Sequence, residues 1–336
     1  MYTDTRQWTL VINSGHATRI RLICFPQAGA AAEQLRVWSN SLADHIELVV
    51  INLPGHGPRR DEAPCDNWPS LLENTFAALN PWLDKPHALF GHGLGALLAY
   101  ETCKYAQERF PQQTRHLFVS GCRSPDSLPR RPLLHSLPIA AFREAILTLG
   151  ASPLEMPRGQ NDLQSYERLL RNGLKLFETW YDTSSGCLDI PLTAFYGSED
   201  PLATANHMLN WREFTGREFE LIEVAGNHFF IKSQRQRLLQ ALVDPEHDRH
   251  RLRLLIKRVR YAAEAYPQLD KLPAKAMSRL KKAQAALGDW HDCWQWLAQA
   301  EHQADLQPCV AIWHRTMANA EGQADRVLDK LSADCF

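Results

Sequence analysis

Residues 87–96, His-Ala-Leu-Phe-Gly-His-Gly-Leu-Gly-Ala, decide the fold class of this chain. The first half is an apolar run typical of a buried strand, and Leu94 begins an Ala- and Leu-rich pattern typical of a helix. Gly91 and Gly95 flank the junction, where the lack of side chains lets strand and helix backbones approach closely around a tight turn. The segment therefore predicts a strand–turn–helix unit with Gly93 at the tip of the turn.

On either side of this turn, short apolar runs alternate with amphipathic stretches. Further runs typical of buried strands cover residues 21–25, 47–53, 116–121, 192–197 and 219–226. Helical patterns lie between them, as at 70–83 and 94–108. Alternating strands and helices are typical of a mostly parallel sheet covered on both faces. We therefore predict an α/β domain with a doubly wound, mostly parallel sheet over residues 1–243.

Residues 124–189 interrupt the alternation. This stretch is rich in Pro, Leu and Arg, with helical patterns over 139–149 and 163–180 and no strand pattern. An insertion of that size between two strands is a candidate lid over an active site.

Composition excludes several classes of protein. The 336 residues suffice for one large and one small domain, and 45% hydrophobic with 22% charged residues is ordinary for a globular protein. The first 19 residues lack the apolar core of a signal peptide, and no run of about 18 apolar residues predicts a membrane span. We therefore expect a cytoplasmic protein without a membrane partner.

The eight cysteines are scattered along the chain without a C-x-x-C pair. This distribution favours reduced thiols, several of them small core residues, over a disulfide framework. His291, Cys293 and His302 lack the regular spacing of zinc ligands, so we expect no metal site and no cofactor.

An acid and a histidine follow the turn at 93 in chain order. Asp200 comes directly after one strand pattern and His228 directly after the next. This order suits an α/β-hydrolase triad, in which the acid orients the histidine and the histidine takes the proton of the nucleophile. Singly, Asp200 is also compatible with a helix cap and His228 with an ordinary histidine. Together with the turn at Gly93 they predict a hydrolase site.

These segments resemble the type II thioesterases that accompany non-ribosomal peptide and polyketide synthases. The resemblance covers about residues 19–243 and rests on the segments 25–30, 53–60, 91–95, 197–200 and 226–230. It implies hydrolysis of stalled or aberrant acyl and peptidyl groups from the phosphopantetheine arm of a carrier protein. It also implies an oxyanion hole formed by the backbone N–H groups of Ala28 (or Gln27) and Leu94, and a lid that admits the pantetheine and acyl chain.

The chain departs from this family at the nucleophile. The family has serine at the tip of the turn, and Gly93 has no side chain to form an acyl-enzyme. Removing one member of a triad typically costs several orders of magnitude in rate, so we expect activity that is lost or weak. A natural pseudoenzyme and an engineered inactive variant are both compatible with Gly93. A non-catalytic module that only captures acyl carriers is the alternative interpretation.

Beyond residue 243 the composition shifts to helical patterns, over 249–266, 274–303 and 308–331, which predict a small all-α domain at 244–336. Basic residues recur at helical spacing on the first two of these patterns. A run of charge is usually a solvated helix face. Here two basic ridges on neighbouring helices favour an anion-binding site about as strongly as a solvated face. Nucleic acid is less favoured, because aromatic interleaving and helix-turn-helix spacing are both missing.

This tail resembles the CHAD family, histidine-bearing helical domains associated with inorganic polyphosphate. The resemblance rests on residues 250–253, 256–261 and 280–292. It implies that six residues contact phosphate: His250, Arg253, Lys257, Arg260, Lys281 and Lys282. A full domain of that family has two such helical repeats, and this chain holds about one. A polyphosphate-binding adaptor is thus a further interpretation, with a purely structural tail as its rival.

Overall fold

The structure is a computed structural model. It describes residues 5–13, 18–42, 45–128, 132–151, 160–182, 186–243, 256, 260–261, 274–300 and 304–335. The chain divides into two units, residues 1–243 and residues 244–336.

A seven-stranded sheet forms the centre of the first unit, with strand order β1-β3-β2-β4-β5-β6-β7. The strands are β1 Thr9–Ile12, β2 Ile20–Phe25, β3 Ile46–Ile51, β4 His87–His92, β5 Thr114–Ser120, β6 Leu192–Gly197 and β7 Phe219–Val224. Only β1 runs antiparallel to its neighbour, and the other neighbouring strands are parallel. The predicted α/β fold with a mostly parallel sheet is confirmed. The edge strand β1 was not predicted, because its four residues are too few to show a pattern.

Helices cover both faces of this sheet. The described helices of the unit are α1 Trp68–Leu79, α2 Leu94–Arg109, α3 Ile139–Thr148, α4 Gln160–Thr179, α5 Ala205–Leu209, α6 Phe230–Ser233 and α7 Arg235–Val243. Helix α1 begins two residues before the predicted start, where the Asn67 side chain accepts a hydrogen bond from the Ser70 N–H. It ends at Leu79, four residues early, and Pro81 lies in the 3-10 turn Asn80–Trp82 that follows.

Strand β4 lies at the middle of the core. All six of its residues are buried, and successive side chains enter opposite layers: Leu89 joins one apolar cluster, while Ala88 and Phe90 join the other. Because both faces are covered, the strand is a continuous apolar run without polar alternation. Short 3-10 segments complete the unit at Thr5–Trp8, Ala32–Ser41, Gly57–Arg59, Leu134–Ser136 and Asn210–Phe214.

The insertion at 124–189 holds α3 and α4, close to the helices predicted there. Phe142 and Ile146 of α3 pack against Leu170 and Leu174 of α4 in a small apolar cluster of their own. The described part of the insertion contains no strand, but Leu188 makes an isolated parallel bridge to Thr215. The insertion is thus a helical layer with its own core.

The second unit is helical, as predicted for the C-terminal region. Helices α8 Ala274–Ala300 and α9 Val310–Cys335 are joined through a 3-10 segment, Ala304–Cys309. Leu280, Ala283 and Leu287 of α8 lie in one apolar cluster with Ala324 and Val327 of α9. The predicted helix 249–266 lies outside the described residues, except for Ile256, Arg260 and Tyr261. Within the described residues, no helix combines the length and apolar character that crossing a bilayer requires.

Candidate active site

The turn between β4 and α2 presents Gly93 in a backbone conformation that side chains disfavour. Its φ is 54° and its ψ is −119°, outside the regions allowed to most L-residues. The Gly93 N–H donates to the Ser120 carbonyl over 2.9 Å, and the Gly93 carbonyl accepts from the Ala96 N–H over 3.0 Å. These bonds hold the tip of the turn in place.

The two glycines that flank the turn are required by close contacts. A Cβ atom on Gly91 would lie 2.0 Å from the Gly95 carbonyl oxygen, and one on Gly95 would lie 2.0 Å from the Phe25 carbonyl oxygen. Any side chain at either position would therefore push α2 away from β2 and β4. This is the close strand–helix approach that the G-x-x-x-G spacing predicted.

A buried acid–histidine pair lies beside the turn. The His228 Nδ1 atom is 2.8 Å from the Asp200 Oδ2 atom, and the other carboxylate oxygen accepts the Leu202 N–H over 2.9 Å. The exposed fractions are 4% for Asp200 and 9% for His228. Burial raises the pKa of the Asp200 carboxyl, but hydrogen bonds from His228 and Leu202 and the nearby imidazole outweigh it, so the pKa lies below its usual value. The carboxylate therefore stays ionised and accepts the Nδ1–H of His228.

The free nitrogen of His228 faces the turn tip. A Cβ atom built on Gly93 would lie 3.8 Å from the His228 Nε2 atom and 3.8 Å from the Gln27 Cβ atom. A side-chain hydroxyl at position 93 would be within reach of the imidazole. The structure thus brings together the three positions Gly93, Asp200 and His228, which the sequence predicted as one site.

His92 holds the backbone of His228 through a hydrogen bond, a role that the sequence analysis did not assign. Its Nε2 atom is 2.9 Å from the His228 backbone carbonyl oxygen and its Nδ1 atom is 2.9 Å from the Ser120 Oγ atom. Since a carbonyl only accepts, Nε2 carries the hydrogen, and Nδ1 accepts from the serine hydroxyl. Burial, helped by the nearby His228, lowers the pKa of His92 to about 3, so the ring stays neutral. The only sequence signal was its position directly before the turn tip.

The two predicted oxyanion-hole residues line one cavity. Leu94 is the first residue of α2, so its N–H has no acceptor within the helix. Ala28 lies in the turn after β2 that the 3.0 Å hydrogen bond from the Ala30 N–H to the Gln27 carbonyl closes. Both residues border one small pocket, together with Cys65 and Leu176. The two predicted oxyanion-hole residues therefore border the same pocket, and Leu94 directly follows Gly93 in the chain.

Helix α4 covers this cavity. Gly173 packs so tightly on Ala28 that a Cβ atom added to it would lie 2.6 Å from the Ala28 Cβ atom. The Asn172 side-chain amide donates to the Cys65 carbonyl over 2.7 Å, and the Trp68 indole N–H donates to the Leu176 carbonyl over 2.9 Å. The insertion thus contacts both the predicted oxyanion turn (residues 27–30) and the loop before α1.

The cavity walls are mostly apolar, and His56 is the titratable ring among them. The His56 Nδ1 atom lies 3.0 Å from the Pro54 carbonyl oxygen, so it donates there. Burial lowers the pKa of this imidazole, which favours its neutral form. The titratable ring in the pocket wall therefore adds no charge to this mostly apolar lining.

The predicted phosphate contacts of the tail are described only in part. Lys281 and Lys282 are exposed on α8, and the Arg260 guanidinium lies over the Tyr261 ring. His250, Arg253 and Lys257 lie outside the described residues, as do His302 and the side chain of His291. In the part of the chain that the structure describes, no group of three His, Cys, Asp or Glu side chains is placed to hold a metal ion.

Comparison with known proteins bears on both units. The family model of the thioesterase domain matches residues 20–245. This chain belongs to the thioesterase domain family. A second family model, that of the CHAD domain, matches residues 221–301 of the same thioesterase chain. Both family resemblances that the sequence analysis stated are thereby confirmed.

The thioesterase unit is similar to several known thioesterases. The chain is 32% identical to the thioesterase PikA5 of Streptomyces venezuelae over 69% of this chain and 82% of that protein. It is 37% identical to the RedJ thioesterase of the prodiginine pathway of Streptomyces coelicolor, with a TM-score of 0.63 over 67% of this chain and 90% of that one. The type II thioesterase BorB from the borrelidin cluster is 27% identical, with a TM-score of 0.63 over 72% of this chain and 98% of that one.

Proposed function

We propose that the domain 1–243 is a type II thioesterase-like module, with its lid at about 124–189. It binds acyl or peptidyl thioesters on the phosphopantetheine arm of a carrier protein, in the cytoplasm, within a non-ribosomal peptide or polyketide system. Its hydrolytic activity is lost or weak because Gly93 occupies the nucleophile position. One observation carries this proposal: position 93 lies 3.8 Å, measured from an ideal Cβ, from the His228 Nε2 atom of a paired acid–histidine dyad.

Each part of the site has a role that does not depend on the missing hydroxyl. Asp200 holds the tautomer of His228 by accepting its Nδ1–H, which leaves Nε2 as a base. The N–H groups of Ala28 and Leu94 donate to the thioester oxygen and would stabilise charge that develops on it. Thioester binding therefore survives at Gly93, while the step that forms an acyl-enzyme does not.

The test is turnover of an acyl-pantetheine thioester by this chain and by Gly93→Ser. We expect the serine variant to be faster by at least ~100-fold, in line with the size of nucleophile effects. A serine Cβ meets no atom closer than 3.8 Å, so the substitution fits, although its positive φ costs on the order of 1–3 kcal/mol. Adding His228→Ala to Gly93→Ser should remove the gain. Equal rates for Gly93 and Gly93→Ser would refute the proposal.

A non-catalytic capture module is distinguished from a weakened enzyme by binding. A non-hydrolysable acyl-pantetheine amide should bind this chain and Gly93→Ser with similar affinity, because the cavity and the backbone donors are the same in both. If the amide binds tightly and Gly93→Ser remains inactive, capture without catalysis becomes the function of the cleft.

The CHAD match over residues 221–301 favours a second candidate function, in which the helical domain 244–336 binds inorganic polyphosphate. The exposed Lys281 and Lys282 lie within that match. We expect salt-sensitive binding of polyphosphate that Arg253→Ala combined with Lys257→Ala abolishes. The control pair Arg36→Ala with Arg60→Ala removes the same charge from two exposed positions of the first domain. Unchanged affinity in the Arg253/Lys257 variant would rule this candidate out.

A further inference from the structure

We infer that this site carries out a slow, direct hydrolysis in which a water molecule bound in the place of the serine side chain attacks the thioester. The inference rests on the proposed function, because it uses the same cleft and the same substrate class. It replaces the two-step route through an acyl-enzyme with a single displacement.

The first support is the space at position 93. Around an ideal Cβ on Gly93, the atoms found within 4 Å are the His228 Nε2 and Gln27 Cβ atoms, each at 3.8 Å. A serine would place its CH2OH group in this space, and glycine leaves it to solvent. One water molecule takes up about 30 Å³ of liquid volume, close to the size of such a group. The space also has a polar partner for water in the Nε2 atom.

The second support is the protonation state of the dyad. The Nδ1–H of His228 donates to Asp200, so in the neutral ring Nε2 is the unprotonated nitrogen. His92 fixes the His228 backbone from the other side with a 2.9 Å hydrogen bond to its carbonyl. A base held in this way faces the space at Gly93 without any contribution from residue 93 itself.

The chemical step balances without a further reactant. The water oxygen bonds to the thioester carbonyl carbon as His228 Nε2 takes one water proton. The negative charge moves to the carbonyl oxygen, where the Ala28 and Leu94 N–H groups can receive it. Collapse of this intermediate breaks the carbon–sulfur bond, and the proton passes from Nε2 to the leaving sulfur. The products are a carboxylic acid and the free pantetheine thiol, with no change in oxidation state.

Four buried or half-buried thiols of the first unit offer no ready substitute for serine. Burial raises the pKa of Cys122 to about 12 and holds the pKa values of Cys24 and Cys103 far above the usual range, so these three are protonated. Cys65 borders the cavity, and burial raises its pKa as well. Because Cys65 is the thiol that borders the cavity, its acylation is the rival route, and it would leave a covalent adduct on the chain.

The test compares this chain with Gly93→Ala, His228→Ala and Gly93→Ser on one acyl-pantetheine substrate. The alanine methyl group fits at 3.8 Å from its neighbours but fills the water space, so Gly93→Ala should be at least ~10-fold slower than Gly93. His228→Ala should be slower than this chain by a similar factor, because the variant lacks the base that takes the water proton. Intact-protein mass spectrometry during a single turnover should show an acyl adduct on Gly93→Ser and none on this chain. Gly288→Ala, in the helical tail, should leave the rate unchanged.

The outcomes separate the inference from the proposed function. Gly93→Ala as fast as Gly93, turnover that does not need His228, or an acyl adduct on the Gly93 chain would each overturn the inference. If any of these results is obtained and Gly93→Ser is active, the inference fails but the proposed function stands. If Gly93→Ser is no faster than Gly93, the proposed function itself fails. Serine and alanine share the same backbone strain at 93, so an active serine variant shows that the alanine variant also folds.

Discussion

The Nε2 atom of His92 donates a 2.9 Å hydrogen bond to the backbone carbonyl of His228, across 136 positions of sequence. Its other ring nitrogen accepts from Ser120 at the end of β5. The residue before the turn tip thereby joins the ends of β4 and β5 to the loop that carries His228. The position of the imidazole relative to Gly93 depends on this connection.

Replacing His92 should lower turnover while substrate binding is retained. In the Gly93→Ser background, His92→Leu leaves the His228 carbonyl and the Ser120 hydroxyl buried without their partner, at a cost of about 1–3 kcal/mol. We expect kcat to fall by ~10-fold or more with little change in KM. His92→Gln, whose amide can reach the same carbonyl, should keep most of the activity. A Leu variant with full kcat, or a Gln variant as slow as the Leu variant, would contradict this positioning role.

Stability should fall as the pH drops below about 6.5, because burial lowers the pKa of three histidines in the native state: His56, His87 and His92. Burial lowers the pKa of His92 to about 3 and that of His87 to about 4. In the unfolded chain all three take up protons near the ordinary value of about 6.5. Between these pH values the unfolded state binds more protons, so the free energy of unfolding falls with falling pH, by up to ~1.4 kcal/mol per pH unit for each histidine.

Urea unfolding between pH 7 and pH 4.5 measures this slope. His87→Gln removes one of these three groups and should make the slope shallower. His45→Gln, at an exposed position, should leave the slope as it is. A slope that does not change in His87→Gln would show that other groups cause the acid sensitivity.

The turn and its partners could be predicted because their signals are local. Gly91 and Gly95 mark a backbone contact that tolerates no side chain, and Asp200 and His228 each follow a clear strand pattern. The chain order of acid and histidine then defined the rest of the site. These features need only short stretches of sequence.

Other features depend on contacts that no short stretch contains. The hydrogen bond from His92 to His228 and the packing of Gly173 on Ala28 arise only when distant segments meet. Strand β1 is formed by pairing with β3, since four residues carry too little pattern by themselves. The ten-residue 3-10 segment Ala32–Ser41 was also not predicted, and its tight turns follow no 3.6-residue period.

Glycine in a helix should be replaceable where the space is open. A Cβ atom on Gly288, inside α8, meets no atom within 4 Å, so Gly288→Ala should stabilise the helical unit by about 0.5–1 kcal/mol. Hydrogen exchange of the amides along α8 and thermal unfolding of the full chain measure this added stability. We expect slower exchange along α8 in Gly288→Ala. Gly95→Ala is the contrasting variant, because its Cβ would lie 2.0 Å from the Phe25 carbonyl, and it should unfold the first unit. Faster exchange in Gly288→Ala would contradict the open-space argument.

Gly173→Ala should lower the stability of the first unit, although alanine has the higher helix propensity, because α4 lies against the oxyanion turn. Propensity alone favours alanine by up to about 1 kcal/mol, but the added Cβ would lie 2.6 Å from the Ala28 Cβ atom and 3.1 Å from its Cα atom. Either α4 moves outward or the turn at Ala28 shifts, and overpacking of this kind typically costs about 1–3 kcal/mol. In the Gly93→Ser background we expect lower stability and slower turnover.

A double-mutant cycle assigns this effect to the contact between α4 and the turn. Ala28→Gly removes the Cβ atom that Gly173→Ala would meet, so the double variant should recover much of the stability and turnover that Gly173→Ala loses. The coupling free energy between the two positions should fall in the range of about 0.5–3 kcal/mol that contacting residues show. Additive effects would mean that position 173 acts on α4 alone. A Gly173→Ala variant that is more stable and fully active would mean that α4 does not press on the oxyanion turn.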